Sequence, residues 1–126
     1  MAQGFTDLDV YKVCRRFRKQ ISEWVKMYFP KSEQYQLTQQ ILNASRSITA
    51  NIAEGYGRYY YQDNIRFCRI AKGSLEETLE HLITAFDEKY ITSDILAEAK
   101  AHHENCIKLL NGYIRFLLKT KNKEFD

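Results

Sequence analysis

The stretch "SITANIAEGYGRYYYQDN", residues 47–64, packs two glycines, four tyrosines and an arginine into the middle of the chain. It is either a ligand loop or a turn between two helices, and its flanks decide which. Upstream, Leu37, Ile41, Ser45, Ile48 and Ile52 recur at three- and four-residue steps, one face of a helix that begins near Ser32 to Tyr35. Downstream, Cys68, Ala71, Leu75, Leu79, Leu82 and Phe86 repeat the pattern over residues 64–87. The stretch is therefore first a helix-to-helix turn. Gly55 or Gly57 ends the upstream helix; Gly55 suits the left-handed position after it, Tyr56 folds back on its last turn, and Gln62 or Asp63 begins the next helix. Glu54 is a carboxylate at the negative end of a helix, which costs a few tenths to about 1 kcal/mol unless paired. Arg58 is the nearest partner, and an arginine of another subunit is the alternative.

Working outward, Val10, Val13, Cys14, Phe17, Ile21, Trp24 and Tyr28 define an amphipathic helix between Asp7 and Phe29. Thr6 or Asp7 is its expected N-cap and Pro30 its stop. Ser93 caps a last helix carrying Leu96, Ala99, Cys106, Leu110, Tyr113 and Leu117. No segment alternates like a strand, and the connections are short, so consecutive helices should run antiparallel. The expected fold is all-α, an up-and-down four-helix bundle formed by residues 1–126 as one domain.

The composition, 44% hydrophobic with 28% charged and a single proline, excludes a disordered chain. No apolar run is long enough to span a bilayer and the N-terminus lacks a signal-peptide pattern, so the cytoplasm is the expected compartment. Cys14, Cys68 and Cys106 form an odd set without CxxC spacing, which points to buried reduced thiols rather than disulfides or a zinc site. The net charge of +3 is unevenly spread. Residues 1–31 carry +4, 32–73 carry +2, 74–104 carry −6 and 105–126 carry +3.

The faces turned away from the core suggest partners. On the third helix Gly73 lies about 160° from Leu75, beside Ile70 and Arg66, and a mid-helix glycine costs roughly 1 kcal/mol against alanine. The second helix turns out Ser47 and Ala50, and the fourth Gly112 and Phe116. With Glu54, these residues form the expected oligomer interface, since small outward residues let another helix approach closely. On the first helix Lys12, Arg15, Lys19 and Lys26 project within about 40° of the direction opposite Phe17, flanked by Arg16 and Arg18. Such a stripe can track phosphates or remain a solvated face. Arg58 and Tyr60 join the candidate nucleic-acid contacts because the tyrosine run can stack bases; packing across a subunit boundary is the alternative.

Catalytic patterns are weak. A carboxylate-bridged metal bundle needs inward Glu-x-x-His pairs, yet Thr78, Ala99 and Lys100 stand three residues before His81, His102 and His103. Glu77 and His81 are one turn apart and point away from the core. His103 falls on the apolar face near Cys106 with no orienting third group, and reads as a hydrogen-bonded core histidine. "GYGRYYY" lacks both the GxGxxG spacing and a preceding strand. No enzyme activity, metal or cofactor is expected.

The run Pro30, Glu33, Tyr35, Leu37, Gln40, Ala44, Ser47 and Ile48, then "NIAEG" at residues 51–55, Arg58, Phe67 and "IAKGSLEE" at residues 70–77, resembles the bacterial four-helix bundle proteins first noticed in intervening sequences of 23S rRNA genes. The accessory variability determinant of diversity-generating retroelements is similar. The resemblance implies a cytosolic antiparallel bundle, commonly a ring-shaped homopentamer, with no known catalysis, and in retroelement members a basic surface associated with nucleic acid and reverse transcriptase. Tyr35-Gln36-Leu37 stands where members have Tyr-Gly-Leu, and Leu42 and Asn43 where they often carry two basic residues; the second departure lowers the positive charge of the second helix. The leading expectation is a non-enzymatic homo-oligomer whose basic surface binds RNA or another nucleic acid. The alternative is a structural or protein-partner scaffold, including a reverse-transcriptase accessory role.

Overall fold

The computed structural model describes residues 4–125; residues 1–3 and 126 of the expected domain lie outside them. Four helices, α1 (Asp9–Tyr28), α2 (Leu37–Tyr56), α3 (Tyr61–Asp87) and α4 (Ser93–Phe125), follow one another with short connections, and no strand occurs among the described residues. Each helix packs against its neighbours in sequence, and α1 closes the square against α4. One core runs through all four, with Phe17, Ile21, Ile41, Ile48, Leu75, Leu82 and Leu110 fully buried.

The helix termini follow rules that differ in detail from the expected caps. Phe5–Asp7 forms a short 3-10 turn, its Phe5 ring edge-on to Tyr11 at 5.0 Å, so α1 starts two residues after Asp7 with Leu8 rather than Thr6 or Asp7 at the N-cap. Phe29 turns extended before Pro30 as expected. A second 3-10 turn, Lys31–Glu33, precedes α2, which begins at Leu37, later than expected. Glu33 explains the register: its Oε1 accepts the Leu37 N–H at 3.3 Å while its Oε2 accepts the Tyr90 hydroxyl at 2.8 Å, joining the α1–α2 and α3–α4 connections. Thr92, not Ser93, caps α4, its Oγ1 accepting the Ile95 N–H at 3.3 Å.

Gly55 is the main correction. It lies inside α2, buried, and no glycine among the described residues has positive φ. The helix runs on to Tyr56 and ends at Gly57, the second of the two expected stops, which is a right-handed C-cap, and α3 starts at Tyr61 rather than at Gln62 or Asp63. Gly55 is there for clearance: a Cβ on it would stand 2.6 Å from Asn64 Oδ1 and 3.0 Å from the Asn64 carbonyl oxygen. The left-handed residue is instead Lys89, at φ 66°, after the end of α3. Its N–H donates to Phe86 O (2.9 Å) and the Tyr90 N–H to Ala85 O (2.8 Å), a Schellman closure without glycine.

Tyr28 and Phe86, expected in the core, are 40% and 36% exposed; they lie in the last turns of α1 and α3. Val13, Leu79 and Tyr113 are half-buried. Ser45, Thr49, Asn64 and Thr78 are buried and hydrogen-bonded, and among the described residues no buried side-chain nitrogen or oxygen lacks a partner.

Candidate nucleic-acid interface

Three contacts mark the mid-level of the bundle. Arg18 Nη1 donates to Thr49 Oγ1 at 2.8 Å, the Ser47 and Ser74 hydroxyls lie 2.9 Å apart, and His103 Nε2 lies 2.8 Å from Glu76 Oε1. On one side lie residues 4–18, 47–73 and 106–121, which bring together the start of α1, the end of α2, the start of α3 and the second half of α4. This half holds twelve Lys and Arg against four Asp and Glu; residues 19–46 and 74–105 hold six against ten. The acidic run from residue 74 to 104 therefore lies in the opposite half from the tyrosines. The bundle is electrically polar from end to end.

Lys12, Arg15, Arg16, Lys19 and Lys26 are all exposed along α1. Arg18 departs from the stripe, since its guanidinium reaches across to Thr49 and is half-buried. Lys26 lies in the acidic half, 3.9 Å from Glu23 with both side chains mostly exposed, a pairing worth little. In the α2–α3 connection Arg58 Nε lies 3.0 Å from Glu54 Oε2, the pairing within the chain that the sequence offered. The same guanidinium sits 4.7 Å above the Phe67 ring, and that of Arg66 lies 4.8 Å from it. Tyr59 is 90% exposed and Tyr60 62%, their rings edge to face at 4.8 Å. Tyr60 is also the N-cap of α3.

The outward residues divide. Ala50, Arg66, Gly73, Ile70 and Phe116 are exposed, and a Cβ on Gly73 would meet nothing within 4 Å. Gly112 is half-buried, with Arg115 Nη2 at 3.7 Å from the position of a Cβ. Ser47 does not face outward: it lies in the α2–α3 seam, bonded to Ser74 and accepting from Asn51 Nδ2 at 2.9 Å. Its small side chain serves contact within the bundle.

The titratable groups are engaged internally. His81 is half-buried rather than turned away, its Nε2 3.2 Å from Glu77 Oε2. His103 turns to Glu76 and not to Cys106, a free thiol hydrogen-bonded to the free thiol of Cys14 across α1 and α4. That bond, burial and the neighbouring thiol push the Cys14 pKa up, and burial pushes Cys68 up to about 11. Thiols so held stay protonated at neutral pH, the opposite of an activated nucleophile.

The chain matches the family of 23S rRNA-intervening sequence proteins over residues 6–112. It belongs to that family. It is also similar to the crystal structure of a protein of unknown function from the S23 ribosomal protein family of Bacteroides thetaiotaomicron, at 25% identity and a TM-score of 0.77, with 84% of this chain and 95% of that chain covered. No curated protein matches the chain. The match to the family takes in α1, α2 and α3 and stops at Gly112, so Arg115, Phe116, Lys119 and Lys121 lie beyond it.

Sequence reasoning overlooked several residues that the fold gathers at this end. Arg69, Lys72, Lys108, Arg115 and Lys119 are exposed there, and Phe67 and Tyr113 are half-buried beside the connection. The usable signal was the alternation of helix direction: summing charge by half-helix, rather than along the chain, separates the basic end from the acidic one. Among the described residues no helix is long and apolar enough to cross a membrane.

Proposed function

We propose that the protein is a non-enzymatic, self-associating bundle that binds RNA through its basic half. The observation that carries this reading is the segregation of charge, twelve cations against four carboxylates in the half that also exposes Tyr59 and Tyr60. A polyanion gains most where cations cluster without intervening carboxylates, and counterion release adds to the affinity. Self-association into a closed ring, of which a pentamer is the form the family resemblance implies, is supported by exposed Ile70 and by the open surface over Gly73. A ring repeats the basic half once per subunit and multiplies a modest charge through avidity.

The test moves the same charge in either half. Lys12→Glu with Arg15→Glu alters the basic half, and Lys31→Glu with Lys100→Glu alters the acidic one. Binding of a fluorescent RNA is followed by anisotropy across a salt series. The first pair should lower affinity at least tenfold and reduce the slope of log K against log salt by about 1 to 2, whereas the second should change affinity by less than about threefold. Equal losses would show that net charge alone acts, and no binding by the intact protein at low salt would end the proposal.

A further inference from the structure

We infer that the groove between the α2–α3 connection and the second half of α4 receives unpaired bases of a single-stranded RNA, an inference that rests on the nucleic-acid reading and names which form of RNA is taken. The groove has a volume of about 550 Å³, inside the usual span for sites that hold small organic groups. Its walls are aromatic. Tyr56 and Tyr59 stand on one side, and on the other Tyr113 and Phe116 stack nearly parallel, with ring centres 6.3 Å apart and planes inclined by 14°. Asn64, buried at the base, donates from Nδ2 to the Tyr113 hydroxyl at 3.1 Å and so holds that ring in place. Tyr59 is 90% exposed and Phe116 59%, leaving large ring faces bare in a protein that buries Phe17 completely.

The charge around the groove selects an anion carrying flat apolar groups. Leu8 and Tyr113 also line an adjoining groove with Lys108, Arg115 and Asp9, so one strand can lie along both. Lys12 follows one turn after Leu8, its N–H bonded to Leu8 O at 3.0 Å, and begins the exposed basic run of α1. Arg58 stands at the tyrosine wall, partly neutralised by Glu54. Phosphates would lie against Lys12, Lys108 and Arg115 while bases enter between the rings. A duplex cannot use this arrangement, because its base faces are already covered by stacking; an unpaired strand can, and base–aromatic stacking tolerates any sequence.

The experiment compares a dye-labelled twelve-nucleotide oligo(A) RNA with a twelve-base-pair RNA duplex on the full chain, its Tyr59→Ala/Phe116→Ala double variant, and the Lys12→Glu/Arg15→Glu variant. Both truncated rings are exposed, so the variant should keep its circular dichroism spectrum. It should lose roughly tenfold or more for oligo(A), less than about twofold for the duplex, and keep its salt slope, since the contacts removed are not ionic. Tyr59→Phe/Phe116→Tyr should restore single-strand binding. The charge variant should weaken both ligands. Unchanged oligo(A) binding by the truncated variant, equal loss for both ligands, or a changed sedimentation coefficient that assigns these rings to subunit contact would each overturn the inference while leaving RNA binding in place. If the unaltered protein binds neither ligand, the wider reading falls with it.

Discussion

Gly55→Ala should destabilise the bundle, even though alanine is the better helix former. Inside a helix the exchange alone gains about 1 kcal/mol. Here the added methyl would stand 2.6 Å from Asn64 Oδ1, 3.0 Å from Asn64 O and 3.0 Å from Phe67 Cβ. The side-chain oxygen could swing away, but the carbonyl belongs to the α3 backbone, so α2 and α3 must separate. Overpacking of this kind costs about 1–3 kcal/mol. Moving Asn64 also disturbs a buried amide that donates to Tyr113 and accepts from Cys68 Sγ at 3.5 Å, and stranding such a group costs about 1–3 kcal/mol more. The net expectation is a loss of about 1–5 kcal/mol, read from urea unfolding followed at 222 nm, with the unfolding slope m unchanged. A variant as stable as the parent, or more stable, would refute the assignment of Gly55 as a clearance residue.

Gly73→Leu, in a site with nothing within 4 Å, should keep the helical signal yet break the proposed oligomer; sedimentation like that of the parent would remove the outer face of α3 from the proposed subunit contact. Lys89→Gly relieves a left-handed lysine at φ 66° and should raise stability by about 1 kcal/mol, seen as a higher melting temperature, and a fall would contradict the closure described after α3. Burial raises the Cys68 pKa from 9.0 to about 11, so the native thiol keeps a proton that the unfolded chain has already lost. Stability from this group is complete below about pH 9 and is lost as pH rises through about 11; Cys68→Ala should flatten that alkaline decline relative to its own value at pH 8, and an unaltered decline would reject the cause.

The helix faces were legible because burial repeats with the helical period: Ile41, Ile48 and Ile52 on α2 and Cys14, Phe17 and Ile21 on α1 are buried where the three- and four-residue spacing puts them. Ser47 was misread for a related reason. An angle on a helical wheel gives a direction from the residue's own axis and does not say where the adjacent helix stands, and α3 stands close enough for Ser74 to reach it at 2.9 Å. Gly55 failed differently. A glycine near a helix end serves equally as a left-handed stop or as clearance for a crossing helix, and only the position of Asn64 chooses between them. Glu33 reaches both Leu37 and Tyr90, and the second of those contacts spans 57 residues, beyond any local pattern.

The polarity of the bundle has an energetic side that separates α4 from α3. On α4 the acids Asp94 and Glu98 come early and Lys119 and Lys121 come late, the order that the helix dipole favours, so helix stability alone accounts for it. On α3 Asp63 in the first turn keeps the favoured order, but the charges after it are reversed. Arg66, Arg69 and Lys72 lie in the first half, Glu76, Glu77 and Glu80 follow, and Asp87 occupies the last turn, where a carboxylate costs a few tenths of a kcal/mol. Because α3 and α4 run in opposite directions, this unfavourable order is the one that places the cations of α3 beside those of α4. Charges gathered in this way repel one another, and salt screens them over about 8 Å at physiological ionic strength. An anionic strand seated on the basic half would remove that repulsion and stabilise the fold by mass action, so the proposed RNA binding would be coupled to folding stability through the same side chains.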